Sequence, residues 1–381
     1  MSNLEEEIIK ARRKIHTEGY PMSIGELKNM YDEGDLIISP NYQRLFRWKL
    51  HQKSEFIESI LIGIPIPSIF VAADKDGRWE LVDGLQRMST LLEFMGVLKF
   101  KNDDNSISEE DTPKIAEASV LGKTEYLPSL EGMAWSDDIK VKGSPSGYLT
   151  DAQRRRIKRA KIDIKIVAQE SDVETKYDLF RRINSNGSSL TAQEIRSVIL
   201  AGVSPDLINW ISNKAKNINF VNLLNLTDTL ISQKYDEELV LRFLMLSSMS
   251  DEEIMKTSDF TKALDDFSRE FALNFEVKKE KYDSIFEDTF KKLSDFPDIF
   301  HPWESNNSRY KSRFTLSAFE AFAAGVGFCI SNHIPYNDNF ADLSKEFWND
   351  PRTSKTAGFA SEARIRRAVP AGRELLRKSL S

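Results

Sequence analysis

The signals for β-strands in this chain are confined to its first part. Ser68–Ala73 and Arg78–Val82 are apolar, β-branched runs on either side of a turn at 74–77, and Lys161–Ala168 alternates polar and apolar residues. Two such runs around a turn are typical of a β-hairpin, and the alternation is typical of a half-buried strand. Beyond Asp172, leucine, isoleucine and phenylalanine recur at helical spacing. We therefore predict an α+β protein in which a mixed domain precedes an all-helical domain.

The length of 381 residues suits two domains of ordinary size. We place an amino-terminal helix at 1–19, a mixed domain at 20–170 and a helical domain at 171–381. Within the mixed domain, periodicity fades at about 102–150, which predicts an insertion of loops and short pieces. Shorter elements are also predicted, namely helices at 23–30, 50–63 and 87–94 and a strand at 36–38.

Charge and cysteine content exclude several classes of protein. The net charge is −6, so any contact with DNA has to come from a local basic patch. A single cysteine, Cys329, excludes an intrachain disulfide and a cysteine-based zinc site. No apolar run approaches the ~20 residues that span a bilayer, and the amino end is acidic where a secretory signal is basic. We expect a cytoplasmic protein without a membrane partner.

The segment from Val82 to Leu91 is the first candidate site, because a strand there ends in Asp83-Gly84 and a helix begins within a few residues. Amides at a helix start attract phosphate, Gly84 permits close backbone approach, and Arg87 can pair with phosphate oxygens. Asp83 is the candidate metal ligand, and Gln86 is the candidate for positioning a water. The alternative is an ordinary strand–turn–helix corner with Asp83 as its cap.

A second candidate cluster lies at 39–48, where arginines alternate with aromatic residues just after a strand. Arg44 could pair with phosphate, and Tyr42 or Trp48 could stack on a base. The alternative is an amphipathic surface in which Phe46 and Trp48 are buried.

Two basic stretches could contact DNA phosphates. The clearer one contains Arg154, Arg155, Arg156 and Arg159, and a second lies near the carboxyl end around Arg366. Arginines aligned along one segment provide the sequence-independent part of DNA binding. The alternative is a solvated helix face.

Taken together, these segments resemble a known family. The motifs are Pro40-x-Tyr42-Gln43-Arg44, Trp48, Ile57-Glu58-Ser59-Ile60, Gly63-x-Pro65-x-Pro67, Asp83-Gly84-x-Gln86-Arg87-x-Ser89-Thr90, Phe180–Gly187, and Leu190 with Glu194-Ile195-Arg196. In this order they resemble the amino-terminal domain of GmrSD-type restriction proteins, which is related in fold to ParB and sulfiredoxin.

The resemblance implies a nucleotide-binding domain, in many members an NTPase, in bacterial defence against phage or modified DNA. The implied cofactors are an NTP (GTP or ATP, with CTP as a third candidate) and Mg²⁺. Asp83 and Gln86 would be catalytic, with Asp83 also on the metal. The implied nucleotide-binding residues are Tyr42, Gln43, Arg44, Trp48, Gly84, Arg87, Ser89 and Thr90.

The chain departs from the family pattern in two places. The usual loop is Asp-Gly-Gln-Gln-Arg, and Leu85 replaces its first glutamine, which favours binding over hydrolysis. Full-length relatives often end in an HNH nuclease, yet no histidine follows His333, so a two-histidine centre cannot be completed after it.

Two hypotheses follow. The first is a nucleotide-binding sensor or regulatory subunit of a restriction system, with a separate nuclease subunit, duplex DNA and an oligomeric assembly as expected partners. The second is a non-enzymatic DNA-binding or protein-interaction module of the same fold.

Overall fold

The computed structural model describes residues 4–5, 7–8, 17–38, 46, 48–74, 76–100, 114–167, 191–353 and 360–378. Within the chain, two compact units are formed by Met1–Ser189 and Leu190–Ser381. The predicted domain boundary at 170/171 lies outside the described residues. The first unit mixes strands and helices and the second is helical, so the predicted α+β class is confirmed.

The first unit is built on a five-stranded mixed sheet. The strands of this sheet are β1 Thr17–Ser23, β2 Leu36–Ile37, β3 Ile69–Ala73, β4 Trp79–Asp83 and β11 Lys161–Val167. Between β4 and β11 the chain forms three separate two-stranded pairs from the short strands β5 Lys99–Phe100, β6 Lys114–Ile115, β7 Ala118–Ser119, β8 Met133–Ala134, β9 Val141–Lys142 and β10 Gly147–Tyr148. The order in the sheet is β1-β11-β3-β4-β2. β3 and β4 form the predicted antiparallel hairpin, and β11 runs parallel to β3.

The prediction of a helix over 1–19 is wrong at its end, because the first strand, β1, begins at Thr17. Residues 4–5 and 7–8 are helical, but Thr17–Ser23 pairs with β11 in antiparallel register, from Thr17 opposite Val167 to Ser23 opposite Lys161. Gly19 and Pro21 suggest a turn in the sequence, but both suit this edge strand. Proline is tolerated at a sheet edge, and a Cβ on Gly19 would lie 2.8 Å from the carbonyl oxygen of Ile164.

The described residues of this unit include four helices of nine or more residues, α1 Ile24–Glu33, α2 Leu50–Ile62, α3 Leu85–Phe94 and α4 Asp151–Arg159. Ser23 caps α1 by accepting a hydrogen bond from the N–H of Glu26, and Gly34 ends it in the left-handed conformation. Residues of all four helices are buried together with Ile69, Val71 and Leu81 of the sheet, namely Leu27, Ile57, Leu91 and Ile157. The described part of the predicted insertion, 114–150, contains the short strands β6–β10 and a 3₁₀ turn at Pro128–Leu130.

The second unit consists of the helices α5 Ala192–Val203, α6 Pro205–Ala215, α7 Ile218–Leu224, α8 Asp228–Ser232, α9 Tyr235–Ser248, α10 Asp251–Lys256, α11 Phe260–Leu273, α12 Phe275–Leu293, α13 Leu316–Ala318, α14 Ala324–Ser331, α15 Phe340–Asn349 and α16 Ser361–Arg377, with the short pair β12 Trp303–Glu304 and β13 Arg309–Tyr310. A π-helical turn at Phe319–Ala323 joins α13 to α14. The core is rich in phenylalanine, and the rings of Phe220, Phe286 and Phe290 lie 4.6–5.4 Å apart.

Candidate functional site

The corner between β4 and α3 has an irregular backbone. Phe70 lies opposite Asp83 and Val71 opposite Leu81, so Val82 is an extra residue that bulges β4 just before its end. Gly84 follows at φ 101°, a conformation that side chains rarely adopt. A Cβ at this position would also lie 2.8 Å from Cγ1 of Ile69. Bulges next to functional sites often redirect a side chain, and here the bulge and the glycine together set the direction of Asp83.

Asp83 pairs with Arg87 across the first turn of α3. The Nη2 atom of Arg87 lies 2.8 Å from Oδ2 of Asp83 and 3.2 Å from the carbonyl oxygen of Ser68, to which it also donates. Both side chains are partly exposed, at 14% for Arg87 and 23% for Asp83. The helix N-cap is Gly84, without a side-chain cap bond. Asp83 is thus an ion-pair partner rather than the predicted alternative, a capping residue.

A hydrogen bond joins the two clusters that the sequence singled out. The backbone N–H of Trp48 donates to Oε1 of Gln86 at 3.0 Å, which fixes the end of the 39–48 segment against the start of α3. The Trp48 ring packs edge-on against Phe56, with centroids 5.5 Å apart. Trp48 and Phe46 are half-buried. Trp48, at the end of the 39–48 segment, and Gln86, at the start of α3, therefore meet, although they are 38 residues apart in sequence.

Sequence reasoning missed an ion pair beside Phe46. Lys53 on α2 lies over the ring of Phe46, 4.3 Å from its centroid, and its Nζ lies 2.5 Å from Oε2 of Glu93 on α3. Ser119 also donates to Glu93 at 3.3 Å. Residues 53 and 93 belong to no motif, so only the packing of α2 against α3 reveals them.

Several predicted nucleotide-binding residues cannot be placed at the corner. Tyr42, Gln43 and Arg44 lie outside the described residues. Ser89 and Thr90 are on α3 and are fully buried, and their hydroxyl groups have no hydrogen-bond partner among the described residues. Their predicted contact with a nucleotide stays a prediction.

The side chains around Asp83 decide which kind of metal site the corner could form. Among the described residues, no group of three or more histidine, cysteine or acidic side chains could hold an ion. Asp83 is a single carboxylate, with Oδ2 held by Arg87. Mg²⁺ that accompanies nucleotide phosphates needs only one or two protein carboxylates, since phosphate oxygens and waters complete its shell. The corner therefore fits a magnesium ion that arrives with a nucleotide and does not fit a protein-only metal site.

Leu85, where the family pattern has glutamine, faces the core. Its side chain is 3% exposed, whereas Gln86 and Arg87 are partly exposed. The side chain at this position is therefore part of the packing beneath the corner.

Glu58, part of the Ile57–Ile60 motif, has a structural contact that its motif did not suggest. Its side chain is buried, and Oε1 accepts hydrogen bonds from the N–H groups of Tyr126 and Leu127 at 2.8 and 2.6 Å. Glu58 thereby anchors the insertion to α2. Arg196 of the Glu194–Arg196 motif is likewise buried, with its Nε 2.8 Å from Oδ1 of Asp265.

The predicted DNA-contacting arginines lie on α4. Arg154 pairs with Asp151 and donates to the carbonyl oxygen of Trp135 at 3.2 Å, and Arg156 donates to the carbonyl oxygen of Leu61 at 3.4 Å. Arg155 and Arg159 are exposed and make no hydrogen bond or ion pair within the described part of the chain. Arg155, Arg156 and Arg159 line an open groove of about 740 Å³ against the carboxyl end of α2.

Comparison with known families gives one match. Residues 24–201 match the GmrSD restriction endonuclease, N-terminal domain. The predicted resemblance of this part of the chain to that family is confirmed. The family indicates a component of a restriction system.

The match covers the whole five-stranded sheet except β1 and ends within α5. No curated protein matches the sequence significantly. No described helix is both long and apolar enough to cross a membrane.

Proposed function

We propose that this chain is a nucleotide-binding regulatory component of a restriction system, with its nucleotide site at the β4–α3 corner. The observation that carries the proposal is the Trp48–Gln86 hydrogen bond. It holds Trp48, the last residue of the 39–48 cluster, against Gln86 in the first turn of the helix that carries Arg87. A cationic side chain and helix-start amides at one place suit a polyphosphate.

The Asp83–Arg87 pair supports a mechanism of exchange. The two side chains neutralise one another at 2.8 Å. Nucleotide phosphates would pair with the Arg87 guanidinium in place of Asp83. Asp83 would then be the residue that holds an accompanying Mg²⁺, which would supply charge neutralisation for the phosphates. Gln86, which is partly exposed, orients a water near the terminal phosphate, while Trp48 keeps the Gln86 side chain in place.

The direct experiment is isothermal titration of the full chain with GTP, ATP and CTP in the presence of Mg²⁺. We expect one of them to bind, Arg87→Ala to lose at least about tenfold in affinity, and Arg87→Lys to keep part of it because the charge remains. Arg78→Ala is the matched control, because Arg78 is an exposed arginine paired with Asp74 on the neighbouring turn. Equal nucleotide affinity in Arg87→Ala and the wild type would show that the nucleotide does not bind at the β4–α3 corner.

Phosphate release from the same samples tests hydrolysis. Asp83→Asn and Gln86→Met should abolish any release if these side chains act on metal and water. Leu85→Gln should leave release unchanged, because the side chain at this position faces the core. A gain of release in Leu85→Gln would instead show that this position acts on the attacking water.

The open groove lined by Arg155, Arg156 and Arg159 of α4, here called the α4 groove, favours a second function. Arg155 and Arg159 stand four residues apart on one helix face, and like charges at this spacing destabilise a helix unless an anion compensates. We propose duplex DNA as that anion. Replacing both arginines with alanine should weaken duplex binding and reduce its salt dependence, whereas the exposed pair Lys256→Ala/Lys262→Ala should not. If neither pair of substitutions changed the affinity for duplex DNA, the α4 groove would not be the DNA-binding site.

A further inference from the structure

The helical unit contains a cavity that no motif marks. It has a volume of about 470 Å³ and lies between the end of α6, helices α7 and α8, and the start of α9. This volume is within the ~300–1,000 Å³ range of small-molecule sites. Its floor is formed by Ala215, Phe220 and Leu224, which are buried, and its exposed rim includes Val221 and Ile231. The cavity therefore offers an apolar interior with access to solvent.

One acidic group lines this apolar cavity. Asp236 is the second residue of α9, and its Oδ1 atom is buried without a hydrogen-bond partner among the described residues. An unpaired polar atom at a buried position costs ~1–3 kcal/mol, so native proteins rarely keep one without a reason. Burial, followed by the nearby Glu237 carboxylate, raises the pKa of Asp236 to about 6. A cation placed in the cavity would satisfy the oxygen and favour the ionised carboxylate.

The wall of the cavity is held in an unusual conformation. Asn225 and Lys234 have φ angles of 43° and 61°. They lie at the two ends of the segment that contains Leu226 and α8, of which Leu226 and Ile231 line the cavity. A left-handed backbone is uncommon for a residue such as lysine, and strained residues of this kind cluster at ligand sites. Lys234 is kept in place by an ion pair with Glu237, at 2.6 Å. The segment thus forms a constrained wall rather than a simple surface loop.

We propose that this cavity binds a small organic cation, with an apolar body on Phe220 and Leu224 and a primary ammonium group on Asp236. The ammonium group supplies the donors that Oδ1 lacks, and the aromatic and aliphatic floor accommodates the body. Lys216, exposed at the rim, disfavours a second positive charge on the ligand. The site is thereby selective for monocations and is independent of the nucleotide proposal.

The test is ligand-observed NMR on the full chain with two probes of equal shape, 2-phenylethylamine and the neutral 2-phenylethanol. We expect the amine to bind at least about tenfold more tightly than the alcohol, and Asp236→Asn to remove this difference while leaving alcohol binding unchanged. Asp228→Asn is the matched control, since Asp228 is an exposed acid on the same segment. It should retain full preference for the amine.

Three outcomes would overturn the proposal. They are equal binding of amine and alcohol, no binding of either probe at about 10 mM, and a preference for the amine that survives Asp236→Asn. Loss of folding does not confuse the result, because removing a desolvated charge should not destabilise the native state. Thermal melts of both variants check this directly.

Discussion

The backbone N–H of Trp48 donates a hydrogen bond of 3.0 Å to Oε1 of Gln86, and this contact joins two motifs whose paired residues are 38 positions apart. Gln86 can accept this bond only because α3 begins at Leu85, immediately after the left-handed Gly84. Trp48 is in reach because α2 starts two residues later and positions its ring against Phe56. The contact is the geometric basis for treating the two motifs as one site.

Replacing Gln86 tests this link. Gln86→Met keeps the length of the side chain but removes the acceptor, so we expect the free energy of unfolding to fall by about 1 kcal/mol. Gln86→Glu keeps an acceptor oxygen for the Trp48 N–H and should lose less. Urea denaturation measures both, and an equal loss in the two variants would show that the hydrogen bond is not the stabilising feature.

Gly84 should be more sensitive to substitution than Gly34, a glycine with a similar backbone and open space around it. Gly84→Ala has to place a Cβ at φ 101° and 2.8 Å from Ile69, so we expect a loss of roughly 2–4 kcal/mol. Gly34→Ala is the control, with φ 87° and no atom within 4 Å, and it should show only the ~1–2 kcal/mol of backbone strain. Equal losses would mean that Ile69 moves aside without cost.

Glu320 in the π-helical turn is completely buried and binds two arginines. Its Oε1 lies 2.5 Å from Nη1 of Arg242, and its Oε2 lies 2.7 Å from Nε of Arg364. Glu320→Ala removes the carboxylate that pairs with Arg364 and leaves Arg242 with Glu238 alone, and it should cost about 3–5 kcal/mol in thermal or urea unfolding. Glu252→Gln breaks an exposed pair with Lys256 and should cost less than about 1 kcal/mol. Similar losses of stability in Glu320→Ala and Glu252→Gln would show that burial does not make the ion pairs of Glu320 more important than an exposed pair.

The ionisation of Asp236 makes the free energy of unfolding depend on pH. Its pKa is raised in the folded state to about 6, against 3.8 as the usual value, so the folded protein binds this proton more tightly than the unfolded chain. The ionised carboxylate therefore destabilises the fold above pH 6, and this penalty disappears as the pH falls through the folded and then the unfolded pKa.

Asp236→Asn should accordingly stabilise the protein at pH 8, by roughly 1–2 kcal/mol after allowance for solvent screening, and by about half as much at pH 5. Urea denaturation of the wild type and the variant at several pH values measures the difference. A constant difference from pH 5 to 8 would show that the carboxyl group is not destabilised by burial.

Local sequence signals predicted most elements of the first unit. The helices predicted at 23–30 and 50–63 and the hairpin predicted at 68–82 correspond to α1, α2 and the pair of β3 and β4. The cap at Ser23 and the left-handed Gly34 and Gly63 that end these helices are also local features. The family match over 24–201 was likewise indicated by the order of motifs. These features depend on local chemistry, namely capping, turn conformations and alternating polarity.

The first strand shows where local signals failed. Gly19 and Pro21 are poor strand formers, so Thr17–Ser23 was predicted as the end of a helix and a turn. Its pairing with β11 involves residues more than a hundred positions away, and backbone hydrogen bonds outweigh local propensity at such an edge.

The sequence by itself determined the α+β class, the helical second part, and the identity of the corner residues Asp83, Gly84 and Arg87. Tertiary structure alone decided that Arg87 pairs with Asp83 and Ser68, that Leu85 faces the core, and that Asp236 lines an apolar cavity. The reason is physical. Capping and periodicity act over a few residues, whereas burial and the pairing of charges depend on which distant segments fold against one another.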